Sequence, residues 1–99
     1  MIKHIVMFRL KEKNVDEKLK ISHLIKSKLE ELPNFISEIL EFEVGINVVN
    51  IERAYDLVLV SKFKDIQSLE IYKNHPKHLE FVEFNSFYRE STISVDYEF

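Results

Sequence analysis

The residues able to do chemistry in this chain are four histidines, His4, His23, His75 and His78, with Asp96 as a candidate partner. Imidazole changes charge near neutral pH, which makes it the usual base for taking a proton from carbon or oxygen. Two of the four stand in Tyr72-Lys73-Asn74-His75-Pro76-Lys77-His78. Proline disfavours helical geometry in the residue before it, so His75 and Pro76 are expected to break a helix, with His75 in a capping role. His78 then falls in the first turn of the helix that Pro76 opens. The positive end of that helix and desolvation both disfavour imidazolium, and a carboxylate within reach would oppose them. Asp96 is the candidate carboxylate: it lies mid-strand among apolar neighbours, where an unpaired charge is costly. Such a His78–Asp96 pair keeps the imidazole close to neutrality, where a general base is most useful.

His4 shares a strand face with Ile2, Val6 and Phe8 and so points into an apolar layer, where its plain reading is a core histidine hydrogen-bonded to backbone. His23 lies about 160° from the centre of its helix's apolar stripe and is expected in solvent. His75-x-x-His78 with a third histidine and an aspartate contains enough ligands for zinc, yet Pro76 breaks the register that aligns such pairs. No metal site and no cofactor are expected. No serine stands in a nucleophile-elbow context either.

The composition narrows the setting in which these residues work. The 99 residues, 45% hydrophobic and 31% charged, suit one globular domain with a modest core. Cysteine is absent, which removes disulfides, zinc thiolates, iron–sulfur clusters and thiol nucleophiles. The lone glycine, Gly45, cannot build a Gly-rich phosphate loop. A net charge of −3 argues against nucleic acid as a partner, since counterion release needs clustered Lys and Arg. The longest apolar runs, at 5–8 and 57–60, fall far short of a membrane span. Nothing near Met1 resembles a signal peptide, so the expected location is cytoplasmic, without membrane partners.

The elements that must position these residues follow from periodicity. Residues 2–10 read as a strand with apolar residues on both faces. Residues 14–32 read as a helix, capped by Asn14 or Asp16 and stopped at Pro33, with Ile21, Leu24, Ile25, Leu29 and Leu32 as its apolar stripe. A second strand is expected over 37–49, with Gly45 marking a bulge or a close approach. A third is expected over 55–63. Asp65 caps a short helix to about Tyr72, a further helix runs from Pro76 to about Tyr88, and 92–98 close the chain as a strand.

This order defines an α+β, ferredoxin-like βαββαβ protomer with a four-stranded antiparallel sheet. Within it, crossover handedness predicts the first and third strands adjacent and parallel, with the last strand antiparallel beside the first. Helices cover one face of such a sheet, whereas the first and third strands are apolar on both. Phe81, Phe84, Phe87 and Tyr88 also make the last helix apolar nearly all round. An uncovered apolar surface of that size marks an interface, and a homodimer with facing sheets is expected.

The motifs Lys3-His4-Ile5-Val6, Val44-Gly45, Tyr55-Asp56-Leu57-Val58-Leu59, Tyr72-x-x-His75-Pro76-x-His78 and Val95-Asp96-Tyr97, in this order and spacing, resemble the stress-responsive α/β-barrel (Dabb) family from Met1 to Tyr97. The resemblance implies a single Dabb domain over 1–99 whose dimer closes two sheets into a barrel. Some plant members of the family are stress-induced. A plant branch comprises polyketide cyclases that perform aldol condensation without metal or cofactor. In that branch the residues matching His78 and Tyr72 act as base and carbonyl partner, the one matching Asp96 orients the histidine, and the one matching His4 lines the pocket. Where that branch has a further histidine on the third strand, this chain has Leu57, which implies a more apolar pocket. The haem-degrading enzymes that share the barrel rely on a tryptophan, and this chain has none.

Two functional readings result. In one, an apolar carbonyl compound loses a proton to His78 while Tyr72 holds its oxygen, in a cofactor-independent, cyclase-like reaction. In the other, the dimer is a non-catalytic small-molecule binder or stress protein, and His78–Asp96 is structural.

Overall fold

Strand-forming residues alternate through Ile2–Leu10, and the computed structural model, which describes all 99 residues, makes this segment β1, as the periodicity predicts. Its even-numbered residues face the helices, and Ile2, Val6, Phe8 and Leu10 are buried there. Helix α1 (Val15–Glu30) starts at Asn14, whose side chain accepts from the Glu17 amide at 3.0 Å, settling the choice of cap. Its buried line is Ser22, Ile25 and Leu29, while Leu24 is 42% exposed. The stripe is therefore rotated from the one the apolar residues alone suggest. Ser22 is small enough to let the helix approach the sheet, and Leu24 falls outside the contact. A 3-10 turn, Leu32–Asn34, follows at Pro33.

Strand β2 (Glu41–Ile46) is shorter than the expected 37–49, and Val48, beyond its end, is exposed. β3 (Leu57–Phe63) pairs with it, Gly45 opposite Val58. No bulge marks Gly45. A Cβ there would stand 3.1 Å from a Val58 methyl, so close approach is the reason for glycine. Asp65 caps α2 (Ile66–Asn74) by accepting from the Ser68 amide at 2.8 Å. α3 (Pro76–Asn85) ends three residues earlier than expected, and β4 (Arg89–Glu98) begins correspondingly early.

The sheet order is β2-β3-β1-β4, and every neighbouring pair is antiparallel. This corrects the expectation that the first and third strands run parallel. The crossover through α1 makes β1 and β2 parallel, and the β2–β3 connection then reverses β3 before it slots between them. The ferredoxin-like fold and the antiparallel sheet stand as predicted. All helices lie on one face. The opposite face carries Ile5, Met7, Val58, Val60, Ile93, Val95 and Tyr97, with Met7, Ile93, Val95 and Tyr97 exposed.

Candidate active site

The local geometry around Pro76 builds the site. In an unbroken helix the Lys77 amide would bond to the Lys73 carbonyl. Instead it bonds to the Nδ1 of His75 at 3.1 Å, because His75 is extended and serves as C-cap of α2 and N-cap of α3. The Lys73 carbonyl is thereby left as one of the open acceptors at a helix end. His78, one turn on, supplies the donor: its Nδ1 lies 2.9 Å from the Lys73 oxygen. A carbonyl only accepts, so His78 carries its proton on Nδ1 and exposes a bare Nε2 lone pair. His75, accepting at Nδ1, has the opposite tautomer. The two rings of His75-x-x-His78 thus serve different backbone groups and do not converge as ligands. No group of three metal-ligating side chains gathers anywhere in the fold.

His78 stacks against Tyr72, with ring centroids 4.5 Å apart. Tyr72 is buried and wedged by Phe63 at 5.0 Å and Phe42 at 6.3 Å, with His4 at 6.1 Å. Its hydroxyl makes no hydrogen bond to protein. Burial raises the pKa of that hydroxyl well above the usual phenol value, so it stays a donor. Burial likewise pushes the His78 imidazole below its ordinary 6.5, and the Lys73 carbonyl only partly opposes this.

His4, Tyr72 and His78 line one cavity of about 190 Å³ under the helices, closed by Phe8, Leu59 and Phe81. Leu57, expected in its wall, is buried against β1 opposite Phe8 and does not line it; Leu59, two residues on, holds that position. A groove of about 250 Å³ between the end of α1 and α3 sets Leu32, Phe35, Phe81 and Phe84 beside Lys28, Glu31, Lys77 and Glu80, and no histidine lines it.

Asp96 is the main correction. It stands opposite His4 in the β1–β4 ladder, and its Oδ1 bonds to the His4 Nδ1. The predicted His78–Asp96 pair is not formed. Asp96 lies on an edge strand rather than among buried neighbours, and cross-strand register gives its carboxylate to the residue facing it. Its other oxygen is 3.8 Å from the Lys73 ammonium, so Asp96 reaches His78 only indirectly, through Lys73 and His4. His23 is exposed, as predicted. The sequence offered no signal for Asn85 and Arg89, which also line the cavity.

A helix-covered antiparallel sheet with a cavity lined by histidine and tyrosine beneath its helices defines a small ferredoxin-like domain. The chain belongs to the stress-responsive A/B barrel (Dabb) domain family, whose model matches residues 2–99. It is similar to a dimeric ferredoxin-like protein of unknown function from Bacteroides fragilis, at 36% identity and TM-score 0.86, covering 99% of this chain and 95% of that one. It is also similar to a Dabb family protein from Mesorhizobium loti, at 24% identity and TM-score 0.74 over 98% and 94% of the two chains. The hydroxynitrile lyase from Passiflora edulis shares the fold at 19% identity and TM-score 0.78, over 97% and 90%. An antibiotic biosynthesis monooxygenase shares it at 18% identity and TM-score 0.65, over 100% and 98%. No curated protein matches the chain. No helix is long and apolar enough to cross a membrane.

Proposed function

We propose that the protein is a homodimer that binds a small carbonyl compound in the cavity and removes a proton from the carbon beside the carbonyl, without a cofactor. The observation that carries this reading is the Lys73 carbonyl on His78 Nδ1, which leaves a neutral imidazole with its Nε2 lone pair free beside a protonated, unpartnered phenol. The C–H proton passes to Nε2, its electron pair moves into the carbon–carbon bond, and the oxygen that becomes anionic accepts a hydrogen bond from Tyr72. The imidazolium then returns its proton, or the enolate carbon attacks a second carbonyl and the alkoxide so formed takes the proton from the imidazolium, as in an aldol cyclisation. The Lys73 carbonyl takes the orienting role that the resemblance implied for Asp96, and Asp96 instead fixes His4 in the cavity wall. The dimer reading is supported by the uncovered apolar sheet face and by the dimeric relative from Bacteroides fragilis.

A second reading also has an observation behind it. The same His78–Lys73 bond ties α2 to α3, and a histidine with only that duty would belong to a non-catalytic binder. Deuterium exchange separates the two. In D2O the protein should accelerate exchange beside the carbonyl of 2-oxobutanoate or 4-hydroxy-2-butanone, and His78→Gln should slow it by about 10²–10⁴. Equal exchange with and without protein would leave the binder reading.

A further inference from the structure

Besides His4 and Thr92, the wall of the same cavity holds two polar groups that proton transfer does not use. Asn85, the last residue of α3, is 2% exposed, and its side-chain amide bonds to no protein group; its Oδ1 is the one buried side-chain polar atom in the fold without a partner. A buried amide left unpaired costs free energy that a ligand can recover. Arg89, at the start of β4, also lines the cavity. The ladder shifts between Arg9 and Leu10, so Glu90 is the extra residue and Arg89 stands opposite Leu10 on the helix-facing side. Such an irregularity re-aims a side chain. Arg89 has no carboxylate within ion-pair distance, and no acidic residue lines the cavity.

We infer that Asn85 and Arg89 select the ligand, and that it is a small oxo acid bearing a hydroxyl group. Arg89 offers a fork of donors to a carboxylate, and nothing in the wall repels the anion. Asn85 calls for a hydroxyl because that group both donates and accepts, and so satisfies either orientation of the amide. Size sets the other bound: a cavity of about 150 Å³ holds a benzene-sized molecule. The present 190 Å³ therefore admits a ligand only slightly larger. This inference rests on the cavity being a carbonyl site, and it adds what the rest of the molecule must carry.

Three compounds test it by NMR titration of the whole protein: 4-hydroxy-2-oxobutanoate, 2-oxobutanoate without the hydroxyl, and 4-hydroxy-2-butanone without the carboxylate. The first should bind tightest, about threefold to tenfold better than the second and tenfold or more better than the third. Asn85→Leu should erase the first difference. Arg89→Gln should erase the second, and Arg89→Lys should keep part of it. Equal affinities, discrimination that survives these substitutions, or no saturable binding by any of the three would overturn the inference. Deuterium exchange, measured alongside, keeps it distinct from the proposed function. Selectivity without exchange sustains the ligand class and removes His78 as base, whereas exchange without selectivity does the reverse.

Discussion

The Nδ1 of His78 donates to the main-chain oxygen of Lys73 across 2.9 Å, so the break at His75–Pro76 sets the protonation pattern of the residue that follows it. Nitrogen-15 spectra of the imidazole should show His78 as the Nδ1–H tautomer, with the opposite tautomer at His75. Burial lowers the His78 pKa from 6.5, so below that pH the unfolded chain binds the proton that the folded chain resists. Stability contributed by this group is complete above 6.5 and is lost as pH falls from there through the folded pKa. Exchange activity should fall in the same direction, with its midpoint below 6.5. A His78 midpoint above 6.5 in an NMR titration would contradict both expectations.

Tyr72 contributes its ring to the core and its hydroxyl to the cavity, and the two duties separate in Tyr72→Phe. The hydroxyl makes no hydrogen bond to protein, so the variant should melt within a few degrees of the parent. Its rate of proton exchange should drop by about 10²–10³, the usual loss for one donor to a developing oxyanion. An unchanged rate would remove Tyr72 from the reaction.

Because Asp96 faces His4, Asp96→Asn should shift the ring nitrogen signals of His4 and leave the His78 tautomer intact. Conversion of His78 to the Nε2–H form in this variant would show that the carboxylate, acting through Lys73, governs the base after all.

What could be read in advance follows from whether the signal is local. β1 was legible to the residue because its alternation is its own property, and Asn14, Asp65 and Pro76 announced their helices because capping acts within three residues. The end of β2 was not, since alternation continues through Val48 while the ladder with β3 stops at Ile46. At the site, His4 and His78 could be named from type and context, and Tyr72 from the family resemblance. The partner of Asp96 could not, because it depends on how β4 slides along β1 relative to α3. Asn85 and Arg89 had no signal at all: one is a helix-end amide and the other an arginine turned inward by a shifted ladder. The reversed direction of β3 was recoverable from connectivity, since the segment between Ile46 and Leu57 is too short for the crossover that a parallel neighbour needs.

The outer sheet face leads to an assembly test. Val95 is 61% exposed on edge strand β4, on the same face as Met7, Val58 and Ile93, three residues that line a depression of about 510 Å³. A lysine there meets only solvent in the protomer but would bury a charge between two facing sheets. Sedimentation should give the parent as a dimer and Val95→Lys as a folded monomer. A parent that sediments at 11.9 kDa at micromolar concentration would refute the facing-sheet assembly.

Asp56 gives the sharpest stability test, because a charge buried at the end of a strand must be held by specific partners. Its side chain is 7% exposed. One oxygen accepts from the Leu10 amide at 2.8 Å, and the other lies 3.3 Å from the Lys18 ammonium. Its own amide donates to Phe8. One residue therefore fastens the start of β3 to the end of β1 and to α1, where the ladder would otherwise fray. Asp56→Ala strands the Leu10 amide and an ammonium that is itself three-quarters covered, at a cost of about 2–4 kcal/mol. Asp56→Asn keeps an acceptor for Leu10 and loses only the ionic contact, so its cost should be clearly smaller. Urea unfolding of the three proteins measures the order. Equal losses in both variants would mean that the Lys18 contact, and not the backbone bond, holds this corner together.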